Sequence, residues 1–563
     1  MSKESSKHKN SSPQWVMDTP ERSVRSLFRW GSPGVYKHPN PRLVKLMMDK
    51  FQLGPRDLQE PENAGLETFS QEIATGLSTQ QQDALTSLLG PEQVSLATYD
   101  RIKAGYGKTM LDLFRIRSGK LENIPDAVVF PRDRKEIVDV LRFARDQGIA
   151  LQTRGAGSSV TRGCEAPRGG ITLDLSKHMH RILKINSINE SVTVEAGALL
   201  PDLEQELQNA ARNSGTYHNY TLGHFPQSYE FATVGGAIVT RGAGQNSTYF
   251  GKIETMVLSQ DYVTANGDLI TKEIPARSMG PDLDAIMMGS EGTLGILVSA
   301  TLKIRRYLPG NTRRFSYMFK DFGSALDAVR EVMQSQEGVP SVFRLSDPEE
   351  TDVAMRLYGV HGTPLDTMLK LGGYKPSKRC LLLGSADGSH RYTRMVAASV
   401  RRKVRHFGAF PTTSFVTRKW EKGRFKDPYM RDDLMDFGVI IDTLECSTDW
   451  ENLPHVHQSV RKVCHELANV VVMSHLSHFY PQGANLYFIF IGKMGSQQFV
   501  EYHSRVVDAI ARSGAAISHH HGIGRLLAPW YPDAIGTVAF DLIKAIKSHM
   551  DPDQTLNPGV LSL

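Results

Sequence analysis

Cysteine is scarce: Cys164, Cys380, Cys446 and Cys464 are the only four in 563 residues, far apart and never in CxxC spacing. That pattern excludes a disulfide framework and a zinc ribbon, and it suits a reducing compartment or an organelle matrix. Long hydrophobic runs are missing too. Without a stretch of about 18 apolar residues, a membrane-spanning helix is not expected. The N-terminal MSKESSKHKNSSPQ lacks an apolar core, so it reads as a polar disordered tail and not as a secretory signal. Charge of one sign is slight. The 66 Lys and Arg exceed the 60 Asp and Glu by 6, and an excess spread along the chain favours anionic small ligands or an anionic surface over nucleic acid.

A chain of this length cannot bury itself around one ordinary core, so several domains are expected. From about residue 40 to 120 the pattern is helical. Arg42 to Phe51 sets Leu43, Leu46, Met47 and Phe51 on one face, which suits either a docked helix or contact with a membrane surface. From about Pro125 short β-rich runs alternate with glycine-rich turns. Strands are expected at Ala150–Arg154, Gly170–Asp174, Ser191–Glu195, Asp261–Thr264 and Gly295–Arg305, with a helix at Lys135–Gln147. A second α+β segment has helices at Gly323–Gln336 and Asp449–Ala468 and strands at Val439–Leu444 and Val470–His475. A strand at Asn485–Ile491 and a helix at Gln497–Ser513 follow. The spans are therefore read as an N-terminal tail and helical segment (1–120), a first α+β domain (121–308), a second (309–482), and a C-terminal segment (483–563) that returns to the first.

Glycine is dense in one region. Thr153, Arg154, Gly155, Ala156, Gly157, Ser158 and Ser159 follow an expected strand, and small side chains there let backbone N–H groups approach a pyrophosphate. The Rossmann fingerprint is absent, because no GxGxxG opens an amphipathic helix at this point. Three more segments belong with the first. They are Gln227, Ser228, Tyr229, Glu230, Phe231, Ala232 and Thr233; Thr240, Arg241, Gly242 and Ala243; and GSEGTLGIL, with Glu291, Gly292, Thr293, Leu294, Gly295, Ile296 and Leu297. Such density implies repeated close approach of backbone to something flat and phosphorylated.

Together with the terminal DPDQTLNPGVL, these segments resemble the flavoprotein superfamily of vanillyl-alcohol oxidase and p-cresol methylhydroxylase, from about residue 125 to the C-terminus. The resemblance implies an α+β fold: a two-part FAD-binding domain, an α+β substrate (cap) domain and an N-terminal helical segment. It also implies non-covalent FAD, since Cys164 is unpaired and no histidine is placed for an 8α link. Within that superfamily GHFP followed by SYEFATVGG, SVFRL, YMRD, GANLYF and SHHHGIG are similar to segments of the alkyldihydroxyacetonephosphate synthases. That family exchanges the acyl chain of acyl-dihydroxyacetone phosphate for a long-chain fatty alcohol and forms the ether bond of ether lipids, redox-neutrally, through an adduct at flavin N5.

By this resemblance Tyr487 is the active-site tyrosine, and a histidine of the run His519, His520 and His521 is the base at carbon 1. His224 is a further proton-exchanging imidazole, Arg344 a second important arginine, and Arg431 the clamp on a substrate carboxylate. A metal is not expected, because consecutive side chains of an extended run point to opposite faces. The departure TRGAGSS introduces Arg154, free either to pair with phosphate or to face solvent. A 2-hydroxy-acid dehydrogenase of the same superfamily is the alternative activity. The family also implies a homodimer, peripheral membrane contact, and a peroxisome or related organelle such as a glycosome. Leu561-Ser562-Leu563 resembles a peroxisomal import tripeptide but lacks its basic middle residue.

Overall fold

The computed structural model describes residues 19–31, 35–59, 64–69, 72–466 and 469–563. The expected polar tail lies outside them. Two compact units share the chain, one built from residues 1–68 and 312–515, the other from 69–311 and 516–563. The helical N-terminal segment is thus divided at residue 68, and the C-terminal segment at residue 515.

In the unit of residues 69–311 and 516–563, a four-stranded sheet runs Val94–Ser95, Ala127–Val129, Ile171–Asp174, Leu151–Arg154. Its last three strands are parallel. Parallel neighbours need a crossover, and helix Arg134–Asp146 supplies one. Asp133 caps that helix by accepting the Glu136 N–H, while Ile137, Val140, Leu141 and Ala144 recur at helical spacing and are buried. A five-stranded antiparallel sheet follows, ordered Ile182–Asn186, Ser191–Glu195, Ile296–Lys303, Val257–Thr264, Gly267–Ile270. The strand expected from Asp261 begins at Val257, because Gln260 and Ser259 pair with Ala300 and Thr301 of the central strand. One apolar core serves both sheets.

The terminal residues close this unit. The buried Lys547 ammonium donates to the carbonyls of Thr293 (2.9 Å) and Leu556 (2.8 Å) and to the Asp551 carboxylate. Leu151 donates to Thr555 O at 2.8 Å, and Asn557 returns a bond to Leu151 O at 2.9 Å. The ending DPDQTLNPG is therefore an extra rail beside the first glycine-rich loop. Leu561 is buried and donates to Gly524 O, whereas Ser562 is exposed and Leu563 half-buried.

The other unit is organised by a seven-stranded antiparallel sheet. Its order is Phe410–Pro411, Arg313–Phe319, Cys380–Ala386, Val342–Ser346, Val470–Ser477, Gly483–Gly492, Ile440–Asp449. Helices Leu453–Glu466 and Ser496–Arg512 pack against each other, as do Phe322–Gln334 and His390–His406. Helix Pro41–Phe51 docks in this unit. Asn40 caps it, and Leu43, Met47 and Phe51 join a core with Val353, Leu434, Phe437, Val439, Val471, Met473 and Ile491. Its apolar face is consumed by packing, which removes the membrane-contact alternative for this helix.

The positive charge is also less evenly spread than the sequence reading held. Helix His390–His406 carries six Lys and Arg and no acid, as many charges as the whole chain's net +6.

Candidate active site

The four glycine-rich segments converge within one unit. A Cβ on Gly155 would come within 2.2 Å of Thr233 Oγ1, so the first loop lies against the second segment. A Cβ on Gly292 would sit 3.8 Å from Thr153 Cβ, one on Gly289 would sit 3.0 Å from the Arg241 side chain, and one on Gly242 would sit 3.6 Å from His224 Nε2. Glu291 N–H donates to Val239 O at 3.0 Å. Gly157 has φ +74, a conformation that disfavours a Cβ. Gly155 thus has room for backbone alone and Gly289 is tight, while the Gly242 and Gly292 distances are ordinary contacts that set the segments side by side.

Several buried polar atoms in the cradle lack a hydrogen-bond partner among the described residues: Thr153 Oγ1, Ser290 Oγ and both ring nitrogens of His224. Buried polar groups are nearly always satisfied, so a cluster of orphans marks ligand contacts. The residues present thus fit FAD.

Not every expected contact has a side chain to give. Leu294, Ile296, Leu297 and Ala232 belong to the apolar core, which leaves their backbones alone for a ligand. Thr233 caps helix Val234–Val239 through the Gly236 N–H. Gln227, Ser228, Tyr229, Glu230 and Phe231 form the turn before it, and Thr240, Arg241, Gly242 and Ala243 the turn after it. Arg154 is buried, bonded to the Asp174 carboxylate and to the carbonyls of Gly155 and Ala156. It neither faces solvent nor stands free; it braces the loop from behind.

The histidines lie in the same unit. Burial, then Lys252, pushes His224 down to about 4. Burial, then His521 and His519, holds His520 well below the usual imidazole value. Both are therefore neutral at neutral pH, the form of an imidazole that can accept a proton. The run is not extended either. The chain bends at 519–521, His519 Nδ1 and His520 Nδ1 lie 3.0 Å apart, and the rings of His520 and His521 meet edge to face at 4.6 Å. Lys252 Nζ donates to His519 O at 2.6 Å.

In the seven-stranded unit, register places Tyr487 opposite both Glu445 and His475. Directly paired residues share a face, and Arg344 lies on that face too, two residues before Ser346, the partner of His475. The opposite face carries Leu476, Leu486 and Phe488, all fully buried. One side of this sheet is therefore apolar and the other carries the reactive side chains, the period-two logic of a strand.

On the polar face Tyr487 stacks on His475 (centroids 4.9 Å apart) and donates to Thr443 Oγ1 at 3.1 Å. Burial raises its phenol well above the ordinary value despite that bond, so it is a neutral donor at neutral pH. Arg344 Nη1 meets His475 Nε2 at 3.1 Å, and Glu350 takes both Arg344 Nη2 and His475 Nδ1. Burial would raise Glu350, but Arg344 and His475 outweigh it and hold the carboxyl at about 2.

Arg431 sits on helix Asp427–Leu434, buried, beside Asp432. Burial, against the pull of Arg431, pushes Asp442 up to about 6. The N-terminal segment braces the Arg431 helix: Trp30 N–H donates to Asp432, and the buried Arg25 forks onto Asp436 at 3.1 and 2.7 Å. The sequence singles out Arg344, Arg431 and Tyr487 but not their neighbours His475, Glu350, Thr443 and Asp442. The one available signal was a histidine ending the expected strand Val470–His475.

Residues 125–272 match the FAD binding domain, and residues 308–561 match the C-terminal domain of FAD linked oxidases. The chain belongs to the FAD-linked oxidase flavoproteins. FAD is the cofactor of this flavoprotein, and non-covalent attachment is consistent with these matches. It is 27% identical over 491 residues to alkyldihydroxyacetonephosphate synthase of Dictyostelium discoideum, covering 84% of this chain and 79% of the relative. A solved alkyldihydroxyacetonephosphate synthase superposes with TM-score 0.75 at 23% identity, over 92% of each chain. A p-cresol methylhydroxylase structure superposes with TM-score 0.65 at 16% identity, over 86% of this chain and 98% of its own. The flavoprotein's fold is thus the expected one.

Proposed function

We propose that this flavoprotein is an alkyldihydroxyacetonephosphate synthase, which exchanges the acyl chain of acyl-dihydroxyacetone phosphate for a long-chain fatty alcohol and forms an alkyl ether. The carrying observation is the polar sheet face, where Tyr487 and Arg344, the two positions on it that the sequence resemblance singles out, are held with His475 by Thr443 and Glu350. Bound FAD supplies an electron-accepting ring through which carbon 1 can lose one oxygen substituent and gain another without net oxidation. Thr153, Ser290, His224 and the backbones of the glycine-rich loops would hold it.

The residues divide the remaining work. Carbon 1 lies beside a ketone, so its proton is acidic enough for a neutral imidazole of the His519–His521 run to take. A fatty acid leaves as carboxylate, and the planar Arg431 guanidinium suits two parallel bonds to its oxygens. The alcohol must lose its hydroxyl proton as its oxygen bonds to carbon 1, and Tyr487, a neutral phenol held by Thr443, relays it. Arg344 would support the substrate phosphate or the flavin. Incubating the FAD-loaded protein with acyl-dihydroxyacetone phosphate and labelled fatty alcohol is expected to yield labelled ether and free fatty acid. Absence of ether while substrate binds overturns the reading. Oxidation of 2-hydroxy acids is the weaker alternative, and a lactate or glycolate that bleached the flavin would favour it.

Peripheral contact with an anionic bilayer surface belongs to the same proposal, since both substrates partition into bilayers. Helix His390–His406 supports it. Arg391, Arg394, Arg401 and Arg405 recur at helical spacing and are exposed, while Thr393, Val396, Val400 and Val404 are buried. Each basic side chain near an anionic surface contributes about 1 kcal/mol. Reversing all four to Glu is therefore expected to weaken binding to phosphatidylserine-containing vesicles by about a hundredfold or more. Equal sedimentation with wild type would refute this surface. A homodimer and a peroxisomal or glycosomal compartment complete the proposal; the four free, buried cysteines suit a reducing interior.

A further inference from the structure

The fourth glycine-rich loop contains a buried carboxylate whose two oxygens are taken up by backbone N–H groups of the protein itself. Glu291 is buried, at φ +48, a backbone conformation that costs a non-glycine residue about 1 kcal/mol or more. Its two carboxylate oxygens are both engaged: Oε1 accepts the Ile523 N–H at 2.7 Å and Oε2 the Gly524 N–H at 2.9 Å. Its carbonyl accepts Asn557 Nδ2 at 2.6 Å, and its own N–H donates to Val239 O. One residue therefore joins the cradle helix, the terminal NPG turn and the segment directly after His521.

The receiving segment is shaped for this contact. Gly522 and Gly524 have φ +84 and +55. A Cβ on Gly522 would meet Glu291 Oε1 at 3.0 Å, and one on Gly524 would meet Thr161 O at 2.0 Å. Arg525 and Leu526 N–H groups both donate to Thr161 O at 3.0 Å. The two glycines turn the chain so that successive N–H groups point at one carboxylate, a small anion nest made within the protein.

We propose that Glu291 is a positioning residue whose carboxylate, by accepting the Ile523 and Gly524 N–H groups together, sets the bend that presents His519–His521. The assignment deepens the proposed function and rests on the histidine run being the proton acceptor there. A neutral carboxyl cannot serve two donors as well as a carboxylate can, because one oxygen then carries a proton. Burial pushes the Glu291 carboxyl up to about 7, against the Ile523 and Gly524 bonds and Arg525. The charged and titratable groups facing it are Arg525 and Tyr531. The latch consequently tightens as pH rises through about 7.

The test is backbone amide exchange across residues 518–526 in the full-length, FAD-loaded protein without substrate, each rate divided by its intrinsic value at that pH. In wild type, protection of the Ile523 and Gly524 amides is expected to fall by about tenfold between pH 8 and pH 5.5. Glu291→Gln, whose amide opposes one of the two donors, is expected to lose that protection at every pH. Its FAD should remain bound, and kcat should fall with KM little changed.

Protection that is flat with pH in wild type, or unchanged in Glu291→Gln, overturns the assignment. Should the variant not fold, the wild-type pH series decides alone. Exchange is read without substrate, so a protein that shows the latch but forms no ether would retire the proposed reaction and leave this inference standing.

Discussion

Tyr487→Phe is expected to lower kcat by about 10²- to 10⁴-fold, the usual worth of one positioned proton-transfer group, while leaving the protein folded and yellow. The substitution removes one oxygen and keeps the ring that stacks on His475. The lost bond to Thr443 Oγ1 is neutral to neutral and is worth about 1 kcal/mol in stability. None of the orphaned polar atoms in the glycine cradle belongs to this strand. Flavin content by absorbance should therefore match wild type while turnover of labelled fatty alcohol collapses. His520→Ala provides a parallel case from the other unit. Wild-type turnover in Tyr487→Phe would show that the phenol is only a packed strand residue.

Glu350→Gln should cost both stability and activity. Its carboxylate takes a charged bond from Arg344 and a second bond from His475, and removing one partner of a buried pair typically destabilises by about 3–5 kcal/mol. The pH dependence has a definite sign. Glu350 is held at about 2 in the folded protein, below its value in the unfolded chain, so its contribution is complete above the unfolded value of about 4.3. It is lost as pH falls toward about 2. Urea midpoints at pH 7 should differ strongly between wild type and variant, and the difference should shrink toward pH 2 to 3. A constant difference down to pH 2 would mean that the carboxylate is not carrying charge for Arg344.

Most of the secondary structure was legible because its signals are local. The helix expected at Lys135–Gln147 is found at Arg134–Asp146, and the strand expected at Ser191–Glu195, which alternates in sequence, has those bounds. The strand from Val257 was read four residues short, since its first half holds Ser259 and Gln260, whose pairing with a distant strand is not visible locally. Among site residues, Tyr487 and Arg344 were identified within recognisable segments. His475 and Glu350 were not: no local pattern tells that residues 344, 350, 475 and 487 meet.

Arg154 shows the same limit. Its place in a phosphate-type loop suggested a ligand or solvent, and only the sheet reveals Asp174 behind it on the neighbouring strand.

The sequence by itself determined that this chain builds a glycine-lined cradle, that it carries no disulfide framework, and that its reactive side chains are imidazoles, a phenol and guanidinium groups. Those properties follow from residue type and short spacing. Only the tertiary structure decided which of these groups are charged, through burial of His224, His520 and Tyr487, and which residues hold them in place. Ionisation and orientation depend on neighbours hundreds of residues away, and a side chain's surroundings exist only once strands have paired and water has been excluded.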